Sequence, residues 1–221
     1  MDVQGEKPVQ VGADTVTLEG NLGIPPRAKG IVLFAHGSGS SRHSPRNRYV
    51  ARRLRQAGLA TLLIDLLTAT EEAADMEQAH LRFDIGLLTR RLVGATDSLK
   101  QAPDTRDLII GYFGASTGAA AALVAAVERP EAVGAIVSRG GRPDLASKAL
   151  SQVKAPTLLI VGGHDFAVLG LNRDALTKLN TVKELVIVPG ATHLFEEPGA
   201  LKEVARLAAN WFAKYLGRKL I

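Results

Sequence analysis

Three short loops hold residue types that acyl-transfer chemistry needs. Gly114-Ala115-Ser116-Thr117-Gly118 fits the pattern G-x-S-x-G. Small neighbours let a serine sit on a tight turn between a strand and a helix, with its hydroxyl thrust outward. A serine hydroxyl is a weak nucleophile at neutral pH; it needs a base, and the base needs an orienting acid. Gly162-Gly163-His164-Asp165 and Pro189-Gly190-Ala191-Thr192-His193 carry both types. Asp165 comes 49 residues after Ser116, and His193 a further 28. Those intervals leave room for one or two strand–helix units and then for one. A base at His164 would leave the acid position unfilled, so His164 reads as a loop histidine. Asp144 is an alternative acid, or a turn residue of Pro143-Asp144. Glu196 and Glu197 read as electrostatic caps of the last helix.

A fourth loop, His36-Gly37-Ser38-Gly39-Ser40-Ser41, could hold a developing oxyanion on backbone N–H groups. Ser38 N–H and Thr117 N–H are the expected donors. The competing reading is a phosphate cradle, but neither G-x-x-x-x-G-K-[ST] nor G-x-G-x-x-G occurs. His36 is expected to brace its loop by hydrogen bonds. No histidine has a second ligand at metal spacing, so no metal site is expected.

The elements that must position these loops alternate. Val9–Ile24 reads as an antiparallel hairpin with one wet face, interrupted at Gly12-Ala13-Asp14 and Gly20-Asn21. Residues 31–35, 60–64, 108–113, 133–137, 157–161 and 185–188 are short apolar runs, as in parallel strands covered on both faces. Ser44-Pro45 starts a helix that stops at Gly58. Residues 83–99, 117–127 and 201–215 have helical apolar patterns. The fold class is therefore α/β: a mostly parallel sheet with an N-terminal antiparallel hairpin and helices on both faces. Functional residues in such sheets lie beyond the C-terminal strand ends, where all four loops fall. Residues 137–157 leave no space for a large lid. The acidic, weakly patterned stretch 68–80 could edge the pocket.

These loops resemble the α/β-hydrolase superfamily, and within it the dienelactone hydrolase-like branch. The resemblance covers nearly the whole chain. It implies Ser116 as nucleophile, His193 as base, Asp165 as orienting acid, and no cofactor. Dienelactone hydrolases proper use a cysteine nucleophile, and this chain has no cysteine; serine at that turn points to the esterase-like members. His36–Arg48 and Asp65-Leu66-Leu67-Thr68 also resemble hydrolase-like domains found beside phosphoribosyltransferases. The implied activity is cleavage of small or short-chain carboxylic esters through an acyl-enzyme. The alternative is a non-hydrolytic binding or partner module on the same fold.

Composition bounds the rest. With 46% apolar and 22% charged residues, disorder is excluded. Residues 1–221 read as one domain. The net charge of +5 allows nucleic-acid binding, but Lys and Arg are spread out except at Arg42–Arg55, and none is expected. That cluster suggests recognition of an anionic substrate group by Arg42 or His43, with Arg139 as a further candidate. The expected partner is a small-molecule ester, with no membrane contact. The opening residues show no secretion signal, and the cytoplasm is the expected compartment.

Overall fold

The computed structural model describes residues 5–217; residues 1–4 and 218–221 lie outside the described residues. Strands β1 (Lys7–Ala13) and β2 (Val16–Gly23) form the expected hairpin, turning at Asp14-Thr15 with Asp14 at φ 58°. Gly20 and Asn21 do not interrupt it. They lie inside β2, paired to β1 on one side and to the next strand on the other. The side chains of Leu62 and Ile64 crowd the space a Cβ on Gly20 would take, which is why glycine suits that position.

After the hairpin come β3 (Ile31–Ala35), α1 (Pro45–Gln56), β4 (Ala60–Ile64), α2 (Ala69–Gln78), α3 (Ile85–Gln101), β5 (Ile110–Ala115) and α4 (Thr117–Glu128). Then follow β6 (Val133–Arg139), β7 (Thr157–Gly162), α5 (Phe166–Lys178), β8 (Lys183–Val188) and α6 (Ala200–Leu216). The sheet order is β1-β2-β4-β3-β5-β6-β7-β8. The pairs from β4 to β8 are parallel, and β2 runs antiparallel to both of its neighbours.

Alternating side chains of the central strands feed two apolar layers. One lies under α3 and α4, with Leu33, Ile110, Tyr112, Leu88 and Leu92; the other lies under α1 and α6, with Val137, Ile160, Val50, Leu54 and Phe212. Fully burying each Leu, Ile or Val stabilises the fold by about 1.5–3 kcal/mol. Alanines on α4 allow close approach, and a Cβ on Gly114 of β5 would overlap the Ala119 backbone. Ser44 caps α1 as read, accepting the Asn47 N–H at 3.4 Å with Pro45 at the first helical position.

Several boundaries differ from the sequence reading. β5 and β6 run two residues further than their apolar runs, so Arg139 closes a strand rather than following one. Phe83 is not helical with 85–101: Asp84 breaks the pattern by accepting the Leu87 N–H at 2.9 Å, which caps α3. β8 is an edge strand with partly exposed residues, not one covered on both faces. Residues 68–80, read as acidic and weakly patterned, contain α2. Its capping box is plain in retrospect: Thr68 Oγ1 accepts the Glu71 N–H, and Glu71 Oε2 accepts the Thr68 N–H at 2.8 Å.

Candidate active site

Ser116 sits between the last residue of β5 and the first of α4, at φ 49° and ψ −121°. Non-glycine residues rarely take a positive φ; here hydrogen bonds on both sides hold it. Its N–H donates to Arg139 O at 3.3 Å, and its carbonyl accepts from Arg142 N–H at 3.1 Å and Ala119 N–H at 3.1 Å. A Cβ on Gly118 would overlap the carbonyls of Ala35 and His36, so that glycine lets α4 start close against β3.

His193 and Asp165 meet from separate loops. Asp165 Oδ2 lies 2.6 Å from His193 Nδ1. The ionised carboxylate can only accept, so Nδ1 carries the proton and Nε2 is left as the basic nitrogen. The loops are also tied by His164 N–H donating to Ala191 O at 2.9 Å. The His193 ring lies against Gly140, within 3.4 Å of where its Cβ would stand. Gly140 falls between Arg139 and Arg142, the residues whose backbones bond to Ser116, so the loops carrying Ser116 and His193 converge on the same turn. Ser116 Oγ itself makes no hydrogen bond among the described residues; such contacts often tighten only when substrate binds.

The alternatives weighed from the sequence fall elsewhere. Asp144 is held by the Arg142 guanidinium through bonds of 2.9 and 2.7 Å. The hydrogen bonds from Arg142 hold its carboxyl below the usual carboxylate range. The His164 ring faces Phe166. Gly199 occupies the N-cap of the last helix, and the carboxylates of Glu196 and Glu197, expected to favour that helix end electrostatically, are engaged by other residues. Glu196 pairs with Arg46 Nη1 at 2.9 Å. Glu197 accepts Thr192 N–H at 3.0 Å and its hydroxyl at 2.5 Å, bracing the His193 loop instead.

The loop after β3 is fastened at two points. His36 Nε2 accepts Leu66 N–H at 3.0 Å, so Nδ1 holds the proton and donates to Gly37 O at 2.9 Å. Burial pushes the His36 pKa down, which keeps this ring neutral. Ser38 N–H donates to Thr117 Oγ1 at 3.0 Å. That bond sets the Ser38 amide beside the first turn of α4, where the Thr117 N–H has no intrahelical partner. It also engages the Ser38 donor in the resting arrangement. A cavity of about 180 Å³ opens beside this loop, lined by Ser38, Asp65, Glu72, Met76, Arg82 and Leu88 among others. Ser116 and His193 are not in its wall.

The three expected anion-recognition residues are placed differently. Arg42 is already paired: its N–H donates to Asp65 Oδ1 at 2.6 Å and its guanidinium to Asp65 Oδ2. His43 is exposed. Arg139 is buried at the end of β6 beside the serine turn. Among the described residues, no group of three or more His, Cys, Asp or Glu is placed to hold a metal ion. No helix among them is long and apolar enough to cross a membrane.

The dienelactone hydrolase family model matches residues 18–216. The chain belongs to the dienelactone hydrolase family. A crystal structure of a dienelactone hydrolase from Anabaena variabilis is 68% identical, with a TM-score of 0.94 and coverage of 96% of this chain and 98% of that one. At 15% identity the likeness to Est1E from Butyrivibrio proteoclasticus shows the shared fold, with a TM-score of 0.80 over 96% of this chain and 99% of that one. A lidless serine hydrolase from Xanthomonas campestris matches at 20% identity and a TM-score of 0.76, covering 97% and 96% of the two chains. Two curated Mycobacterium tuberculosis proteins are 57% identical over 96% of this chain. They carry a provisional phosphoribosyl transferase name, and this chain spans 47% of their length. Within the dienelactone hydrolase family, this member has serine at the turn after β5 and no cysteine anywhere.

Proposed function

We propose that this chain hydrolyses small carboxylic esters, with Ser116, His193 and Asp165 acting as a triad. The observation that carries the reading is the strained backbone of Ser116 beside the His193–Asp165 pair. In the proposed reaction Ser116 Oγ attacks the ester carbonyl carbon, and His193 Nε2 takes the hydroxyl proton. The tetrahedral oxyanion is held by Thr117 N–H and by Ser38 N–H, released from the Thr117 hydroxyl. The C–O bond to the leaving group breaks, and His193 returns the proton to that oxygen. Water then attacks the acyl-serine with His193 as base, giving the free acid and restoring Ser116. Asp165 stays ionised and fixes the imidazole. The transferase name of the curated relatives belongs to proteins about twice this length, and no phosphate cradle here favours that activity.

The test is hydrolysis of p-nitrophenyl acetate and butyrate by wild type and Ser116→Ala. Turnover should fall on the order of 10⁶-fold, or to background. A fluorophosphonate should label Ser116 in the wild type. Equal turnover in both proteins would instead favour a binding module on the hydrolase fold.

A further inference from the structure

Asn172 is a polar residue on a helix face that elsewhere buries Val168, Leu169 and Ala175. It is fully buried. Its Nδ2 donates to Gly141 O at 3.0 Å and to Val168 O at 2.8 Å. Both neighbours are carbonyl oxygens, so only the amide NH2 can face them. Its Oδ1 is sealed from solvent without a hydrogen-bond partner. A buried acceptor left unmet is unfavourable, and an aliphatic side chain would fill the stripe without it. Asn172 is therefore a costly choice for packing alone. What it adds is a grip on Gly141.

Gly141 lies in the turn after β6, where the loops of Ser116 and His193 converge. The Gly141 carbonyl and the Arg142 N–H belong to one planar trans peptide, so fixing one fixes the direction of the other. That Arg142 N–H donates to Ser116 O at 3.1 Å. Asn172 thus holds one edge of a peptide plane, and the opposite edge holds the carbonyl of a serine at φ 49°. Gly141 is pressed from its own side as well, since a Cβ there would overlap Ser138 Oγ and Ala119 Cβ. The preceding residue, Gly140, donates its N–H to Ile160 O at 2.8 Å and lies against the His193 ring. α5 begins at Asp165, which meets His193, and two helical turns later it reaches the turn that holds Ser116.

We propose that Asn172 is a positioning residue for Ser116: its amide locks the Gly141–Arg142 peptide plane, and the plane's N–H keeps the serine turn in its strained conformation. Without the lock the plane can rotate and release Ser116 O, and the turn can relax away from the geometry that aims the hydroxyl. Asn172 touches neither substrate nor reacting atoms. The proposal rests on the hydrolase reading for its effect on turnover, though not for the lock itself.

Turnover and amide hydrogen exchange test the two halves separately. Asn172→Leu keeps the size of the side chain and removes both donors. Assayed with p-nitrophenyl butyrate well below its Tm, it should lose about 10–100-fold in kcat, with KM within about twofold of wild type. A residue that merely filled the core would leave kcat of the folded protein unchanged. In the same variant the Arg142 amide should exchange at least about 10-fold faster, while amides of β5 and β7 keep their protection. Asn172→Ser is the second variant. Its hydroxyl can satisfy Val168 O one turn back but is too short to reach Gly141, so it should show the same two losses. Unchanged kcat in both variants, a rise in KM alone, or unchanged Arg142 exchange each overturns the proposal. If Ser116→Ala kept full turnover, the triad would fall, and Arg142 exchange would still decide whether Asn172 holds the plane.

Discussion

Ser116 shows how one residue can be held against its own preference. A φ of 49° costs a residue bearing a Cβ of order 1–3 kcal/mol, and the bonds from Ser116 N–H to β6 and from Arg142 N–H to Ser116 O keep it there. Glycine has no such penalty. Ser116→Gly should therefore raise stability by about 1 kcal/mol, or roughly 2–4 °C in Tm, while removing the proposed nucleophile. Thermal melts alongside p-nitrophenyl butyrate assays check both halves. Unchanged or lower Tm would mean the turn is not strained. At this scale the sequence was informative: the glycines around Ser116 pointed to its strained turn, and Asp165 and His193 do meet as a pair. It could not show that Arg139 is buried, because that burial depends on Phe195, which is distant in the chain. Nor could it show that Glu196 serves Arg46, 150 residues away.

Among the elements, the loops after β3 and β4 are joined by the Arg42–Asp65 pair and by the His36 imidazole. His36 Nε2 accepts the Leu66 N–H only while it is unprotonated. Burial lowers the His36 pKa in the folded protein below the ordinary value of 6.5. Between those values the unfolded chain binds the proton more readily, so stability falls as pH drops through about 6.5 toward the folded value. His36→Asn should flatten that part of the profile, measured as urea midpoints at pH 8, 6 and 5. An identical pH slope in the variant would show that the tie carries no such dependence. The parallel strands were legible because their apolar runs report burial on both faces. α2 was not, because its outward acidic face masks any apolar stripe; it is fixed by polar contacts, Glu71 to Arg91 at 2.7 Å and Asp75 to Leu81 N–H at 2.7 Å. α5 also escaped notice, since Asn172 sits in its buried stripe and donates to Gly141 O at 3.0 Å.

For the molecule as a whole, the sheet places all four loops at the C-terminal ends of its parallel strands. α2 and the short turn at Leu81–Phe83 flank the cavity beside the loop after β3. The cavity reaches the candidate site through Ser38, and an acyl chain laid into it that outgrows about 180 Å³ leaves its further methylenes in water, where they gain no burial energy. p-Nitrophenyl butyrate should therefore exceed the palmitate ester in kcat/KM by at least ~10-fold. A preference for the long chain, measured below its aggregation limit, would contradict that shape argument. The net charge of +5 is largely a surface property, with paired arginines such as Arg129 on Asp97 and Arg206 on Glu203.

The absence of cysteine has a chemical consequence for the proposed nucleophile, Ser116. A thiolate nucleophile is open to peroxide, which converts it stepwise to sulfenic and sulfinic acids. A hydroxyl oxygen has no such ladder to climb. The oxidisable group left at the cavity is Met76, which is 78% exposed at its rim. Oxidant exposure would then roughen the mouth of the pocket by a sulfoxide, a change reductases can reverse, and leave the reacting atom untouched.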